Sequence, residues 1–485
     1  MSARALAFSF GVATAALLGP HPALAGYETE VLTAAEKGNP IDIHFSFGYD
    51  RSLKQAKIVR EWIQDPLSPG GVKQAIDVKE LRYIETTNRL LLNLRAGIYH
   101  DLELHVTAPI ILSQDSLIRF ALGVQGTSTI IGSQNADDPN YDGIPRYPIT
   151  DVPQQRFRSG FGDMIFGLAW SPFTDKKDEA WPTVTLRGDI TAPTGNVHDP
   201  TDQNALTAAA RGGVGLGQTI FDLSVGVSRR FIEGTPWLDP YLRFGAEIPI
   251  ASSGQQARGM DPAPTGRFVV GTEVVLVDIP QDFQHYSFDV SFETKFVGTA
   301  RTYSELSDFL PSFDPTRVLG NRTGPITQPD VITYGDFNDP RNYASRIDGA
   351  HCGSLQGVPC GELNQVEEYV TIKAALAATF RFAEYAMVRA GVAFSHDSDH
   401  FLTNERVGKD LDPPTSAEMC DGAPCAGKVN ARNSFYDRAN DTCPPGKTCD
   451  ERNKYFDPRY DTPGRRFRIE EQTNFTFFVS GIATF

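Results

Sequence analysis

The clearest regularity along the chain is a period of two. In residues 41–49, Ile41, Ile43, Phe45, Phe47 and Tyr49 are apolar, and Asp42, His44, Ser46 and Gly48 are polar or small. An extended segment of this kind has one greasy and one wet face. Residues 286–296 repeat the pattern, with Tyr286, Phe288, Val290, Phe292 and Phe296 opposing Ser287, Asp289, Ser291, Glu293 and Lys295. So do residues 240–250, where Leu242, Phe244, Ala246 and Ile248 oppose Arg243, Gly245 and Glu247. About twelve such segments follow one another, at 41–49, 89–98, 102–112, 160–171, 182–192, 211–231, 237–250, 266–278, 285–297, 366–381, 385–395 and 472–485. Their connectors alternate strictly. Long ones (50–88, 113–159, 193–210, 251–265, 298–365 and 396–471) take turns with short ones such as Tyr99-His100-Asp101. The pattern predicts an all-β fold: a transmembrane antiparallel β-barrel of about 12 strands, or 14 if a long loop hides a hairpin, with short periplasmic turns and long outer loops.

Trp170, Trp181, Trp237, Tyr99, Tyr286 and Tyr385 all fall beside the short turns, where an aromatic interface girdle belongs. The carboxy-terminal stretch NFTFFVSGIATF sets Phe475, Phe477, Val479, Ala483 and the terminal Phe485 on one face, which resembles the assembly signal of bacterial outer-membrane proteins. Phe475, Phe477 and Phe485 are the expected contacts with the outer-membrane barrel-assembly machinery. Residues 1–25 read as a signal peptide: Arg4, an apolar run, then Ala23-Leu24-Ala25 as the cleavage box. Residues 26–40 follow as a periplasmic segment, and 41–485 as the barrel. The expected location is the outer membrane of a Gram-negative bacterium, among its lipids and lipopolysaccharide.

The net charge of −15 becomes −16 once the single base of the signal is removed, which excludes a nucleic-acid partner because phosphate contact needs a positive face. All six cysteines lie in polar outer connectors, as Cys352 and Cys360, then Cys420, Cys425, Cys443 and Cys449. In an exported chain such pairs predict structural disulfides, and the last four allow three connectivities.

Two motifs carry a family resemblance. Gly160, Gly162 and Asp163 lead into one strand, and Pro193, Thr194 and Gly195 close the next. This pairing resembles the outer-membrane channels associated with the meta-pathway of phenol degradation, relatives of the FadL and Tsx channels, over residues 158–250. The resemblance implies passive uptake of small hydrophobic or aromatic molecules. The alternative is a non-conducting barrel that anchors large surface loops, either as an adhesin-like surface protein or as the outer-membrane component of an envelope-spanning machine; the loop mass and cysteines favour it.

Taking the polar parity as inward, the lumen-facing candidates are Arg95, Asp163, Arg187, Asp189, Arg243, Glu247, Glu273, Asp289, Glu293, Lys295, Lys373 and Arg389. Their near balance of charge argues against an anion pore and for side chains paired across a narrow interior. Within the first long connector, SLKQAKIVREWIQD places Leu53, Ala56, Val59 and Ile63 on one helical stripe and predicts a short amphipathic helix, which either packs on neighbouring loops or serves as a lid or plug. Asp138, Asn140 and Asp142 before Gly143 open like a calcium loop, but Ile149 stands at the twelfth position, so calcium is only a weak candidate and no other cofactor is expected. Ser395, His396 and Asp397 are consecutive and point to alternate faces of a strand, and no Gly-x-Ser-x-Gly or His-Glu-x-x-His motif occurs. The sequence therefore predicts that the chain is not an enzyme.

Overall fold

The computed structural model describes residues 29–34, 42–64, 74–124, 129–130, 153–175, 181–231, 237–279, 284–310, 361–383, 385–406, 455, 460–461 and 463–484. The signal segment, the six cysteines, the Asp138, Asn140 and Asp142 turn and Phe485 lie outside these residues.

The strands are β1 (Ile43–Gln64), β2 (Gln74–Tyr99), β3 (Leu102–Phe120), β4 (Gln154–Phe161), β5 (Met164–Phe173), β6 (Thr183–Ala192), β7 (Gln218–Ser228), β8 (Trp237–Ala251), β9 (Thr265–Ile279), β10 (Gln284–Val297), β11 (Ala300–Thr302), β12 (Asn364–Val366), β13 (Tyr369–Ala383), β14 (Ala386–Asp397), β15 (His400–Phe401) and β16 (Phe467–Thr484). They form a closed antiparallel barrel of 12 strands, with β1 hydrogen-bonded to both β2 and β16. Two walls change strand partway up. β3 pairs with β5 below and β4 above, and β16 pairs with β14 below and β15 above. Closure leaves no strand edge in the membrane, which is the condition for a sheet to cross it.

The alternation read from the sequence separates the two faces of the wall. Phe47, Phe166, Phe244, Phe288 and Phe292 stand open on the outside at 41–57% exposure, while Asp189, Arg243, Asp289 and Arg389 are buried inside. Tyr99, Trp170, Trp181 and Tyr385 are exposed beside the short turns, at the lower rim of this apolar belt.

Above the belt the chemistry inverts. β1 and β2 continue well past it, and there Ala56, Ile58, Leu81 and Tyr83 face inward while Gln55 and Arg82 face out. This corrects two expectations. Most of the connector 50–88 is wall, with only 65–73 between its two strands, and the segment expected to be an amphipathic helix is strand. Its stripe of Leu53, Ala56, Val59 and Ile63 is broken, because Leu53 is exposed while Lys54 and Ala56 are buried. A bulge between Ile58 and Val59 then shifts the register. The connectors 113–159 and 396–471 are likewise shortened by the upper half of β3 and β4, and by β15 and the start of β16.

Lysine substituted for Phe244 or Phe292 should destabilise the barrel by about 2–4 kcal/mol if the site lies near the bilayer midplane. Denaturant unfolding in vesicles, followed by the heat-dependent gel shift of folded barrels, would measure this. A neutral substitution at the inward neighbour Glu293 should leave membrane assembly intact.

Candidate functional site

Three parts of the chain fill the lumen. The first is the inner wall itself. Arg95 donates to both carboxylate oxygens of Glu103, at 2.8 and 2.7 Å, and His105 lies between Glu103 and Asp189, 2.8 Å from the latter. Arg389 donates to Asp289 at 2.9 Å, and the Tyr241 hydroxyl donates to the same carboxylate at 3.0 Å. Lys373 pairs with Glu293 at 2.9 Å, Lys295 bridges Glu293 and Glu247, and Arg267 pairs with Asp222. Glu273 lies 3.7 Å from His285, Arg243 donates to Ser224 Oγ at 3.1 Å, and Arg187 is half-buried on the same face. Burying a charge without a partner is costly, so these pairs let a narrow interior carry charge at all.

Asp163 does a different job from the other inward candidates. Its carboxylate accepts the Gly195 N–H at 2.9 Å and the Leu216 N–H at 2.7 Å, and Thr194 Oγ1 accepts the Met164 N–H. The two sequence motifs, about thirty residues apart, are therefore one joint. It fastens the connector after β6 to the break between β4 and β5. A Cβ on Gly195 would lie 2.5 Å from the Phe161 carbonyl oxygen, so only glycine fits there.

The second part is residues 29–34. Expected in the periplasm, they lie inside the turn end of the barrel. Arg95 donates to the Glu30 carbonyl at 2.9 Å, the Leu32 N–H donates to Glu103 at 3.0 Å, and the Thr29 and Ser228 hydroxyls are 2.7 Å apart. The segment runs so close to β2 that a Cβ on Gly97 would meet the Thr33 carbonyl oxygen at 2.5 Å.

The third part comes from the long connector between β10 and β13. Leu306, Phe309 and Leu310 cross the mouth and pack with Ile58, Leu81, Tyr83, Ile118, Phe467 and Ile469 in one buried apolar cluster. Ion pairs fix both sides of this crossing: Glu305 with Lys54 on β1, and Asp308 with Arg158 on β4 at 2.6 Å. Burial opposes the Asp308 charge, but His198 and Arg158 outweigh it and hold the carboxyl well below the ordinary range. Burial and Arg158 together push the His198 imidazole down, against the opposing pull of Asp308.

Between these closures lies a cavity of about 230 Å³. Its walls include Leu216, Ile220, Pro249, Val297 and Val366, the rings of Tyr83, Tyr303 and Tyr369, and eight charged side chains. Tyr303 stacks on His198 and Tyr369 on His400, with centroids 4.4 and 4.2 Å apart. Among the charges, Lys54 pairs with Glu305, Arg158 with Asp308 and Lys295 with Glu247. Glu85 accepts the Tyr83 hydroxyl at 2.7 Å, and Asp397 accepts Thr371 Oγ1 at 2.6 Å and Gln472 Nε2. The chamber thus offers polar and aromatic surface, with its charges already engaged. Sequence reasoning missed Lys54, Arg158, His198, Glu305 and Asp308 because all five fell in presumed loops. The alternation continuing through residues 51–58 with its polarity reversed was the available signal for Lys54.

Ser395 and Asp397 are buried in the wall, and His396 Nδ1 lies 3.2 Å from the Gln472 carbonyl oxygen. The rings of Phe475 and Phe394 are 4.9 Å apart across β14 and β16, and Phe477 is exposed on the outer face. Among the described residues no cluster of metal-ligating side chains occurs.

No family model and no curated protein matches the chain. Among solved structures it is similar to an outer membrane channel from Pseudomonas putida F1, at 10% identity and a TM-score of 0.36 over 94% of this chain and 100% of that one. A FadL homologue from Pseudomonas aeruginosa is similar at 9% identity and a TM-score of 0.30 over 98% and 99% of the two chains. It is of the kind the two motifs resemble. The outer membrane protease OmpT from Escherichia coli is similar at 9% identity and a TM-score of 0.24 over 94% and 100%. The expectation that the chain is not an enzyme is therefore withdrawn, since a protease stands among the similar barrels.

Asp308→Asn leaves Arg158, 2% exposed, without its counter-charge, which should cost about 3–5 kcal/mol. Hydrogen exchange at 303–310 should accelerate while the barrel's heat-dependent gel shift persists. The depressed Asp308 carboxyl contributes in full above the ordinary carboxylate value of about 4, and its contribution fades only as pH falls through the lowered folded value. The lowered His198 imidazole acts sooner: below the ordinary value of about 6.5 the opened segment takes up a proton there that the packed one resists, so protection of 303–310 should be flat above about pH 7, decline as pH falls through about 6.5, and decline again in strong acid as Asp308 protonates.

Proposed function

We propose that this outer-membrane barrel is a passive channel for small uncharged molecules, hydrophobic or aromatic in character. The observation that carries the reading is the chamber of about 230 Å³, whose charges are all engaged and whose walls carry apolar side chains and tyrosines. An apolar cavity of about 150 Å³ takes up a benzene, so this one has room for a single substituted ring and a few waters. Glu85 and Asp397 are held by neutral donors and leave carboxylates in excess over bases, which disfavours anions. On this reading the crossing at 303–310 and the segment at 29–34 yield as a solute passes, since both pack against the inner wall along its path.

In vesicle uptake assays, benzyl alcohol should enter faster with the protein than without it, and benzoate should not. Asp308→Asn, which loosens the crossing, should raise the rate for benzyl alcohol severalfold. Equal uptake with and without protein, for wild type and variant alike, would end the channel reading.

A further inference from the structure

One base of the inner wall stands apart from the ion pairs that surround it. Arg187 on β6 faces the lumen, since its neighbour Leu186 is exposed on the lipid side. It makes no hydrogen bond and no ion pair with any described residue, and its Nε is buried without an acceptor. The register gives the reason. Arg187 stands opposite Ala169 on β5 and Ser224 on β7, and Ser224 stands opposite Gly245 on β8. None of these carries a charge, and the Ser224 hydroxyl already accepts Arg243 Nε. The charges that act on Arg187 are Arg243, Asp189, Glu103 and Arg95, two bases and two acids, so its own positive charge is left over. The side chain is only half-buried. On the inner face of a closed wall that exposure is to open lumen, where Nη1 and Nη2 can donate to whatever passes. An uncompensated base in a narrow interior costs stability, and such costs are tolerated where a group has work to do.

Its height places it on the way out of the chamber. On β6, β7 and β8 the topmost of four successive inward rows is Thr191, Ile220 and Pro249, and the next is Asp189, Asp222 and Glu247. Arg187, Ser224 and Gly245 follow, and then Thr185, Gly226 and Arg243. Ile220, Pro249 and Glu247 line the chamber, while Thr185 Oγ1 donates to the Thr29 carbonyl of the segment 29–34. Arg187 therefore lies between the two. A solute arriving there from outside has crossed a chamber whose carboxylates outnumber its bases, which selects against anions. We propose that Arg187 receives the oxygen of an uncharged solute leaving the chamber, and that the channel favours ring compounds bearing a carbonyl, such as aryl ketones, aldehydes and esters, over hydrocarbons of the same size. The inference rests on the channel reading. A guanidinium only donates and a carbonyl only accepts, so the pair leaves no solute proton unmatched, as a hydroxyl would. Its two parallel N–H groups fit the two lone pairs of one carbonyl oxygen.

The test compares uptake of acetophenone and ethylbenzene, which differ in little but the carbonyl, into vesicles with and without the full-length protein. Wild type should speed acetophenone more than ethylbenzene. R187Q removes the charged donor, and the preference should fall about tenfold, the worth of one hydrogen bond to a charged group. R187K keeps the charge but loses the paired N–H groups, and should fall in between. In purified protein, the carbonyl stretch of isotope-labelled acetophenone should move to lower frequency with wild type and not with R187Q, a signature that a merely structural role would not produce. Because Arg187 has no described partner to lose, R187Q should show the heat-dependent gel shift of wild type; if it does not, R187K carries both comparisons. The same preference and the same carbonyl frequency in the variants as in wild type would overturn the proposal and leave the channel standing. If wild type speeds neither solute, the channel reading falls and the proposal falls with it.

Discussion

A sheet that crosses a bilayer has to satisfy its backbone within itself, and the only way to do so is to close. Closure dictates the rest of this molecule. The outer face must be apolar where lipid touches it, so the polar half of every strand is turned into a narrow interior. Charges confined there have to meet partners, and Arg95 with Glu103, or Arg389 with Asp289, show how cross-strand register brings them together. The same rule explains why the wall inverts above the belt. Once water replaces lipid outside, Gln55 and Arg82 can face outward, and Ile58, Leu81 and Tyr83 can form an ordinary protein core inside the mouth.

That inversion positions the chamber. Its floor and sides belong to the charged interior, and the apolar cluster anchoring 303–310 belongs to the inverted region above. Where the two meet, Lys54 and Glu305 tie wall to crossing, and Arg158, His198 and Asp308 do so on another side. On the proposed reading, selection among solutes comes from a space in which no free base remains to attract an anion and several rings remain to stack.

The barrel was legible in the sequence because each membrane segment carries its own evidence: Phe288, Val290 and Phe292 between Ser287, Asp289, Ser291 and Glu293 need no distant partner to declare a strand. The upper wall was harder to read. In residues 51–64 the alternation persists but its polarity is reversed, and a bulge after Ile58 shifts its phase, so a helical stripe fitted nearly as well. The mouth could not be read locally at all. Nothing in the residues around Glu305 points to Lys54, which lies 251 positions away, and the placement of 29–34 depends on Glu103 and Ser228 in separate strands. The motifs around Asp163 and Gly195 stood out as sequence, but their mutual hydrogen bond appears only when β5 and the connector after β6 come together.

The apolar cluster in the mouth also constrains how the chain is built. It draws on β1 to β3, on the segment after β11 and on β16, and the Arg60 side chain bonds to the Arg465 carbonyl across 405 positions. Contacts of such separation form late, because the loops between them have to be closed first. A chain delivered from its amino-terminal end therefore presents the inner faces of β1 and β2, with Ile58 and Leu81, long before Phe467 and Ile469 arrive to cover them. Until then the upper hairpin is a sticky surface in water, and an escort or rapid closure of β1 on β16 is what keeps it from pairing with another copy.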